Sequence, residues 1–561
     1  MFSRKTVIIG AAMIGASLLP TAAFAADDDI AAQVAALLEK SYPAEGPGAA
    51  IIVTDNGDVV YSGGQGLANV EAGTPISPDT VFRLASISKQ FAAATVLRLA
   101  EQGKLSLGDP LSKFLPDYPA PGADVTVRQL LNHTSGIQSY TGIAGWMTEA
   151  NTSQVMTTNE LIAEFSDLPA NFPAGQAFLY NNSGYVLLGA IIEKVTGNTW
   201  HGAIVDQIAR PLGLGSIAGF HDESALPGMA TGYSVDNNGA VVVAQKIHAD
   251  VPHAAGGLRG TVRDLAKWAA ALHGGKVIGD ASYKMMIAPT VLPDGKTENY
   301  GFGIAPSKLR GADAIGHSGG IFGFTTDSIY LPEEDVFVAV FVNSDAPPVG
   351  AGTLMTRAAA IAIGRPFAEF TAVDPDLAEL ADKFGVYRIN ETDTRTFYER
   401  GGKLFTMRSG NSASEIFATD DGTFFYGPDS LTWFRISTDK AGQQVMEMHQ
   451  NGADEAELAV YEGPIVEDEL AIVPRAILET YVGTYTTIAG PMVVTLSDAD
   501  VLSGKLGGQS PIPLAPLSDT KFKVTAVDAT VTFTSEGGAV TGLVIEQGGQ
   551  QIPGERVSEA D

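Results

Sequence analysis

The sequence predicts an α+β protein in which an antiparallel sheet with a helical half is followed by two all-β antiparallel modules. Three observations predict it. Strand-like runs stand at both ends of the first 365 residues, on either side of a block with helical periodicity. After Pro375 that periodicity gives way to short strands separated by Gly, Asp and Asn turns. The tail also repeats itself: Phe384-Gly385-Val386-Tyr387 is matched 98 residues later by Val482-Gly483-Thr484-Tyr485. Thr423-Phe424-Phe425 returns as Thr520-Lys521-Phe522, and Met446 to Gly452 as Leu543 to Gly549, both at an offset of 97.

Residues 1–25 read as a secretory signal, with Arg4 and Lys5 as the basic start, Val7 to Leu19 as the apolar middle and Ala23-Phe24-Ala25 as the cleavage site. The mature protein is expected to begin near Ala26 and to be secreted, with the periplasm as its destination. Asp28 to Tyr42 carries Ile30, Val34, Leu37 and Leu38 at helical spacing behind an acidic start, which predicts a helix. Ala50 to Val53 and Val59 to Tyr61 flank Asn56-Gly57, a tight hairpin turn. A helix follows from about Ser86 to Gln102, apolar nearly all round and therefore central and buried. Asn182-Ser183 caps a helix over Tyr185 to Val195, leaving Tyr180 and Asn182 in the loop that enters it. Thr261 to Trp268 begins another helix. From Tyr300 the pattern is of strands: Tyr300 to Ile304, Ala314 to Phe324, Ser328 to Leu331 and Val336 to Val342, an antiparallel meander closed by a helix over Thr353 to Ile363. The expected domains are 26–370, 375–465 and 475–561, with Gly463 to Pro474 as connector.

Composition narrows the function. The formal charge is −29; without Arg4 and Lys5 it is 33 basic against 64 acidic residues, or −31. That charge argues against nucleic acid and anionic membrane as partners. No segment after the signal offers about 18 uninterrupted apolar residues, so stable membrane insertion is not expected. With no cysteine, thiolate metal sites and cysteine nucleophiles are ruled out, and the eight histidines show no H-E-x-x-H spacing, so neither a metal nor another cofactor is expected.

The chemistry-bearing stretch is Ser86-Ile87-Ser88-Lys89. Residues i and i+3 of a helix share a face, so a hydroxyl and an amine there can act as nucleophile and base. Taken alone the pattern is also that of a serine at a helix start. His133, beside Thr134-Ser135-Gly136, reads as a structural hydrogen-bonder rather than a general base. Gly316-His317-Ser318-Gly319-Gly320 matches the nucleophile elbow G-x-S-x-G, which would make Ser318 the nucleophile. That motif needs strand, sharp turn and helix, and Ile321 to Leu331 continues as strand, so it is set aside.

Ser86-Ile87-Ser88-Lys89, Tyr180-Asn181-Asn182 and His317-Ser318-Gly319 stand in the order and spacing of the S-x-x-K, Y-x-N and K-T-G or H-x-G motifs. On these the chain resembles the serine β-lactamase and penicillin-recognising superfamily, in its class C, esterase and D-aminopeptidase branch. Leu131-Asn132-His133-Thr134-Ser135-Gly136, Pro211-Leu212-Gly213-Leu214 and Gly256-Gly257-Leu258 also resemble that branch, and the likeness covers residues 30 to 365. It implies a β-lactamase-like catalytic domain and, for the tail, two lipocalin-like antiparallel β barrels. It implies Ser86 as nucleophile, Lys89 as base, Tyr180 as proton shuttle, Asn182 as orienter, and the N–H groups of Ser86 and Gly320 as oxyanion hole, with Ser318 and Gly319 along the substrate. His317 stands where β-lactamases carry a lysine that grips a carboxylate. A neutral imidazole weakens that grip, which in the family goes with D-aminopeptidases, amidases and esterases. The implied substrate is a small peptide, amide or ester. A class C-like β-lactamase and, in a different class, a non-catalytic penicillin-binding-like receptor are the alternatives; the oligomeric state is left open.

Overall fold

The computed structural model describes residues 21–220, 227–236, 238–465, 470–507, 510–525 and 527–557, with the backbone alone for 21–28. Most of the expected signal, residues 1–20, lies outside the described residues. The chain divides into two compact units, Met1–Phe367 and Ala368–Asp561.

The first unit is built on a mixed-origin antiparallel sheet. Its strands are β1 (Ala49–Asp55), β2 (Asp58–Gln65), β3 (Ala305–Leu309), β4 (Ala312–Ile321), β5 (Phe324–Leu331) and β6 (Val336–Val342), and among the described residues they lie in the order β3-β4-β5-β6-β1-β2. The β1–β2 hairpin turns at Asn56-Gly57, both at positive φ (51° and 81°), as a primed turn requires. β1 pairs with β6 from Ala49↔Val342 to Asp55↔Val336, so the middle of the sheet joins the two ends of the unit.

On β1 and β6 the side chains alternate across the sheet and are buried on both faces. Ala50, Ile52, Phe337, Ala339 and Phe341 pack into the large core beneath the helical half. Ala49, Ile51, Val53, Val338, Val340 and Val342 pack against α1 (Thr21–Ser41) and a C-terminal helix, Ala351–Ala362. Each valine, isoleucine or phenylalanine among them contributes about 1.5–3 kcal/mol by leaving water. The central helix α2 (Ser88–Glu101) is buried on nearly every side, with Phe91, Ala92, Ala93, Ala94, Val96 and Leu97 all at 1% exposure or less.

In this unit four expectations need correction. The first helix begins at Thr21, seven residues before Asp28, because the Ala-rich end of the expected signal is itself a good helix former. Ser86 is not on α2 but in a 3₁₀ turn, Ala85–Ile87, that leads into it. The next major helix, α3 (Asn182–Thr196), is capped by Asn181, whose side chain accepts the Gly184 N–H; Asn182 is its first residue. Tyr300 to Ile304 is not a strand: the edge strand begins at Ala305, and Gly303 adopts φ +69°.

In the second unit the described residues form two closed barrels of eight antiparallel strands, Gly385–Gly463 and Gly483–Arg556. Both are filled by side chains, with Phe397, Phe424, Phe434 and Met446 in one and Phe522, Val531, Phe533 and Leu543 in the other. The repeat extends to hydrogen bonding. The Tyr387 hydroxyl donates to Lys383 O (2.6 Å), and 98 residues on the Tyr485 hydroxyl donates to Tyr481 O (2.8 Å). Phe424 and Phe522 are the interior residues of the fifth strands, which sets that match one residue from the offset read in sequence. Two short helices, Leu377–Leu380 and Arg475–Tyr481, interrupt a tail expected to be all strand.

Candidate active site

The chain reaches Ser86 through Phe82–Arg83, which pairs with Leu258–Gly260, and Leu84 N–H donates to Leu258 O at 2.9 Å. Ala85 then takes φ +47°, a strained conformation for a residue with a Cβ. Strain of this kind is held by its surroundings, here Gly319 and Gly256. A Cβ on Gly319 would meet Leu84 O at 2.6 Å and the Ala85 Cβ at 3.0 Å. The turn leaves the Ser86 side chain facing a cleft of about 380 Å³ lined by Tyr180, Tyr300, Ala305, His317, Ser318, Gly319 and Gly320.

One turn on, Lys89 points inward and is fully buried. Its Nζ lies 3.0 Å from Ser86 Oγ, 2.9 Å from Asn182 Oδ1 and 2.8 Å from Ala255 O. Burial pushes its pKa well below the usual lysine value. Asn182 is fixed in turn: its Nδ2 donates to Thr141 Oγ1 (3.1 Å), which commits Oδ1 to Lys89. Because Asn182 Oδ1 and Ala255 O only accept, a neutral Lys89 gives them its two N–H groups and turns its lone pair to Ser86.

The Tyr180 hydroxyl is hydrogen-bonded to Ser86, and burial raises its pKa, so it is a phenol rather than a phenolate. Its ring lies 4.7 Å from Lys89 Nζ and 4.4 Å from the His133 ring. On the opposite wall His317 is 8% exposed and its pKa is lowered to about 4, by burial first and then by Lys89. Gly320 pairs with Thr325 next to the two-residue turn that joins β4 to β5. Alternation along the ladder then points its N–H away from β5, on an edge that β3 covers only up to Gly316. Ser86 N–H lies in the first turn of its 3₁₀ segment, where no internal acceptor exists. Ser318 is exposed at the rim and Gly319 is buried beneath it.

The structure thus gathers Ser86, Lys89, Tyr180, Asn182, His317, Ser318, Gly319 and Gly320 around one cleft. The elbow reading of Ser318 fails, since Gly316 to Gly320 lies inside the continuous strand β4. Sequence reasoning missed two contributors. Ala255 acts through its carbonyl, which no residue type announces; the adjacent Gly256-Gly257 was the signal, because a Cβ on Gly257 would meet His253 O at 2.7 Å. Tyr300 was read as part of a strand. Its flanking glycines allow close approach instead: a Cβ would meet Met286 O at 2.0 Å from Gly301 and Lys89 O at 2.5 Å from Gly303.

Among curated proteins the chain is 26% identical over 430 residues to penicillin-binding protein 4* of Bacillus subtilis, covering 72% of this chain and 93% of that protein. It is 26% identical to a D-aminopeptidase of Gluconobacter oxydans, over 57% of this chain and 60% of that one. It is 33% identical to esterase EstB of Burkholderia gladioli over 36% of this chain and 55% of that one. Among solved structures, a D-stereospecific amidohydrolase from Streptomyces sp. superposes with a TM-score of 0.51 at 29% identity, over 58% of this chain and 98% of that one. The Beta-lactamase family model matches residues 35–362, more than half of the sequence and the whole of the cleft, and the chain belongs to that family of serine hydrolases.

Proposed function

We propose that the protein hydrolyses amides or esters of small or D-configured residues through an acyl-enzyme on Ser86, as a D-aminopeptidase-like amidase. The observation that carries this is the partner set of Lys89, which leaves its lone pair one destination, the Ser86 proton. Ser86 Oγ attacks the carbonyl carbon while its proton passes to Lys89. The new oxyanion is held by the N–H groups of Ser86 and Gly320. The C–N or C–O bond then breaks, and the Tyr180 hydroxyl donates to the departing nitrogen or oxygen. Tyr180 is reprotonated from Lys89, and water attacks the ester along the same path in reverse. A neutral His317 offers no cation for a carboxylate, which supports amidase and esterase readings over a β-lactamase. The amidohydrolase and aminopeptidase likenesses support the amide reading. The described cleft lining holds no charged side chain, which favours simple esters as a second class.

Labelling with a fluorophosphonate and mapping the adduct tests the assignment, with modification at Ser86 as the expected result. Turnover on D-amino-acid p-nitroanilides, short p-nitrophenyl esters and nitrocefin ranks the substrates; hydrolysis of nitrocefin alone would reverse the preference. An exported protein cleaved after Ala25 is part of the same proposal, tested by sequencing the N-terminus of periplasmic material.

A further inference from the structure

His317 has its hydrogen-bonding capacity taken up by protein. Its Nδ1 lies 2.6 Å from Ser318 O, which can only accept, so Nδ1 carries the proton. Nε2 of the neutral ring is then a bare lone pair, and it lies 2.9 Å from the Tyr300 hydroxyl, which must donate to it. Tyr300 is held in place for this. Its carbonyl accepts from Thr290 Oγ1 (2.7 Å), its N–H donates to Glu298 O (2.7 Å), and its ring packs 4.6 Å from that of His133. The Tyr300 hydroxyl is also hydrogen-bonded to that of Tyr185, which itself donates to Leu131 O at 2.9 Å; of the two acceptors beside Tyr300, the imidazole lone pair is the more basic and takes its proton.

We propose that Tyr300 is a specificity-determining residue: by capping His317 Nε2 it denies the imidazole to substrate carboxylates. This rests on the Ser86 acyl-enzyme reading. The titratable groups facing His317 are Lys89 from α2, Tyr180 from the loop entering α3, Tyr300 and His133, and no carboxylate lines the described cleft. Burial first and then Lys89 bring the His317 pKa down to about 4, and the Tyr300 cap acts beside them to keep the ring uncharged.

The test compares the full chain with Tyr300→Phe on two p-nitrophenyl esters of matched length, the butyrate and the hemisuccinate, between pH 5.5 and 7.5. Both esters use the same Ser86 and Lys89, so the ratio of their kcat/KM values cancels the titration of Lys89. The wild-type ratio is expected to favour butyrate and stay flat. In Tyr300→Phe the ratio shifts toward the hemisuccinate by about fivefold or more as the pH falls, because a freed Nε2 takes up a proton and pairs with the carboxylate. A ratio that stays flat in a folded variant overturns the proposal. Nitrogen-15 spectra of the wild-type histidines give a second reading independent of the variant's folding: an Nδ1–H tautomer at His317 is expected, and an Nε2–H tautomer overturns the proposal. Failure of Ser86 to label with fluorophosphonate would overturn the acyl-enzyme reading instead, while leaving the tautomer result standing.

Discussion

Lys89 Nζ stands 3.0 Å from Ser86 Oγ with no carboxylate among its hydrogen-bond partners, all of which are neutral. A base so placed works only when unprotonated. Acylation should therefore rise with pH through a value well below the ordinary lysine range near 10.4, and fall again as the pH drops through it. The rate of fluorophosphonate labelling against pH measures this. Lys89→Arg keeps a permanent cation and should lower the rate about a thousandfold or more.

Neighbouring glycines on β4 should behave oppositely. Gly319→Ala drives a methyl against Leu84 O, Thr326 Oγ1 and Ala85, all within 3.0 Å, and so displaces the Ser86 turn. A loss of about a hundredfold in kcat is expected with the fold retained. Gly320→Ala meets nothing within 4 Å and keeps its N–H, so kcat should stay within a few-fold. Circular dichroism beside steady-state kinetics separates the cases.

His133 Nδ1 accepts the Asn181 N–H at 3.1 Å, and its ring braces Tyr180. His133→Phe keeps the ring but orphans a buried N–H, which should cost about 1–3 kcal/mol of stability. Urea unfolding measures that cost.

Stability should fall on acidification. His133, His273 and His317 all have pKa values below the usual 6.5, with burial as the main cause; His273 is near 3 and His317 near 4. The unfolded chain therefore binds more protons than the native one below about pH 6.5, and stability is lost progressively from there down through the folded values. Melting temperatures from pH 8 to 4 should trace that decline.

Asp327 carries the opposite sign. Burial between β5 and the helix Ala351–Ala362 raises its pKa to about 7, so its native form binds the extra proton and stability is lost as pH rises from about 4 through 7. Asp327→Asn should raise the melting temperature at pH 8 more than at pH 5.

The serine, lysine, tyrosine, asparagine and histidine of the cleft were legible because their chemistry depends on residue type at fixed spacing. Ala255 was not, because any residue has a carbonyl and only the fold aims this one at Lys89. Tyr300 was misread because alternating Tyr-Gly-Phe-Gly has the period of a strand, although the glycines serve close contact with Met286 and Lys89. The hairpin at Asn56-Gly57 was legible from its turn residues alone. The start of α1 was not, since helix-forming residues run on through the end of the expected signal.

The pairing of Ala49 with Val342 has a consequence for biosynthesis. A contact spanning nearly three hundred residues cannot form until the distal strand has been made, and closing so long a loop is slow. A nascent chain that has passed Ser86 and Lys89 has neither the middle of its sheet nor the wall that carries His317. Hydrolytic competence therefore arises late in synthesis, and an incomplete chain is idle toward the acyl groups around it.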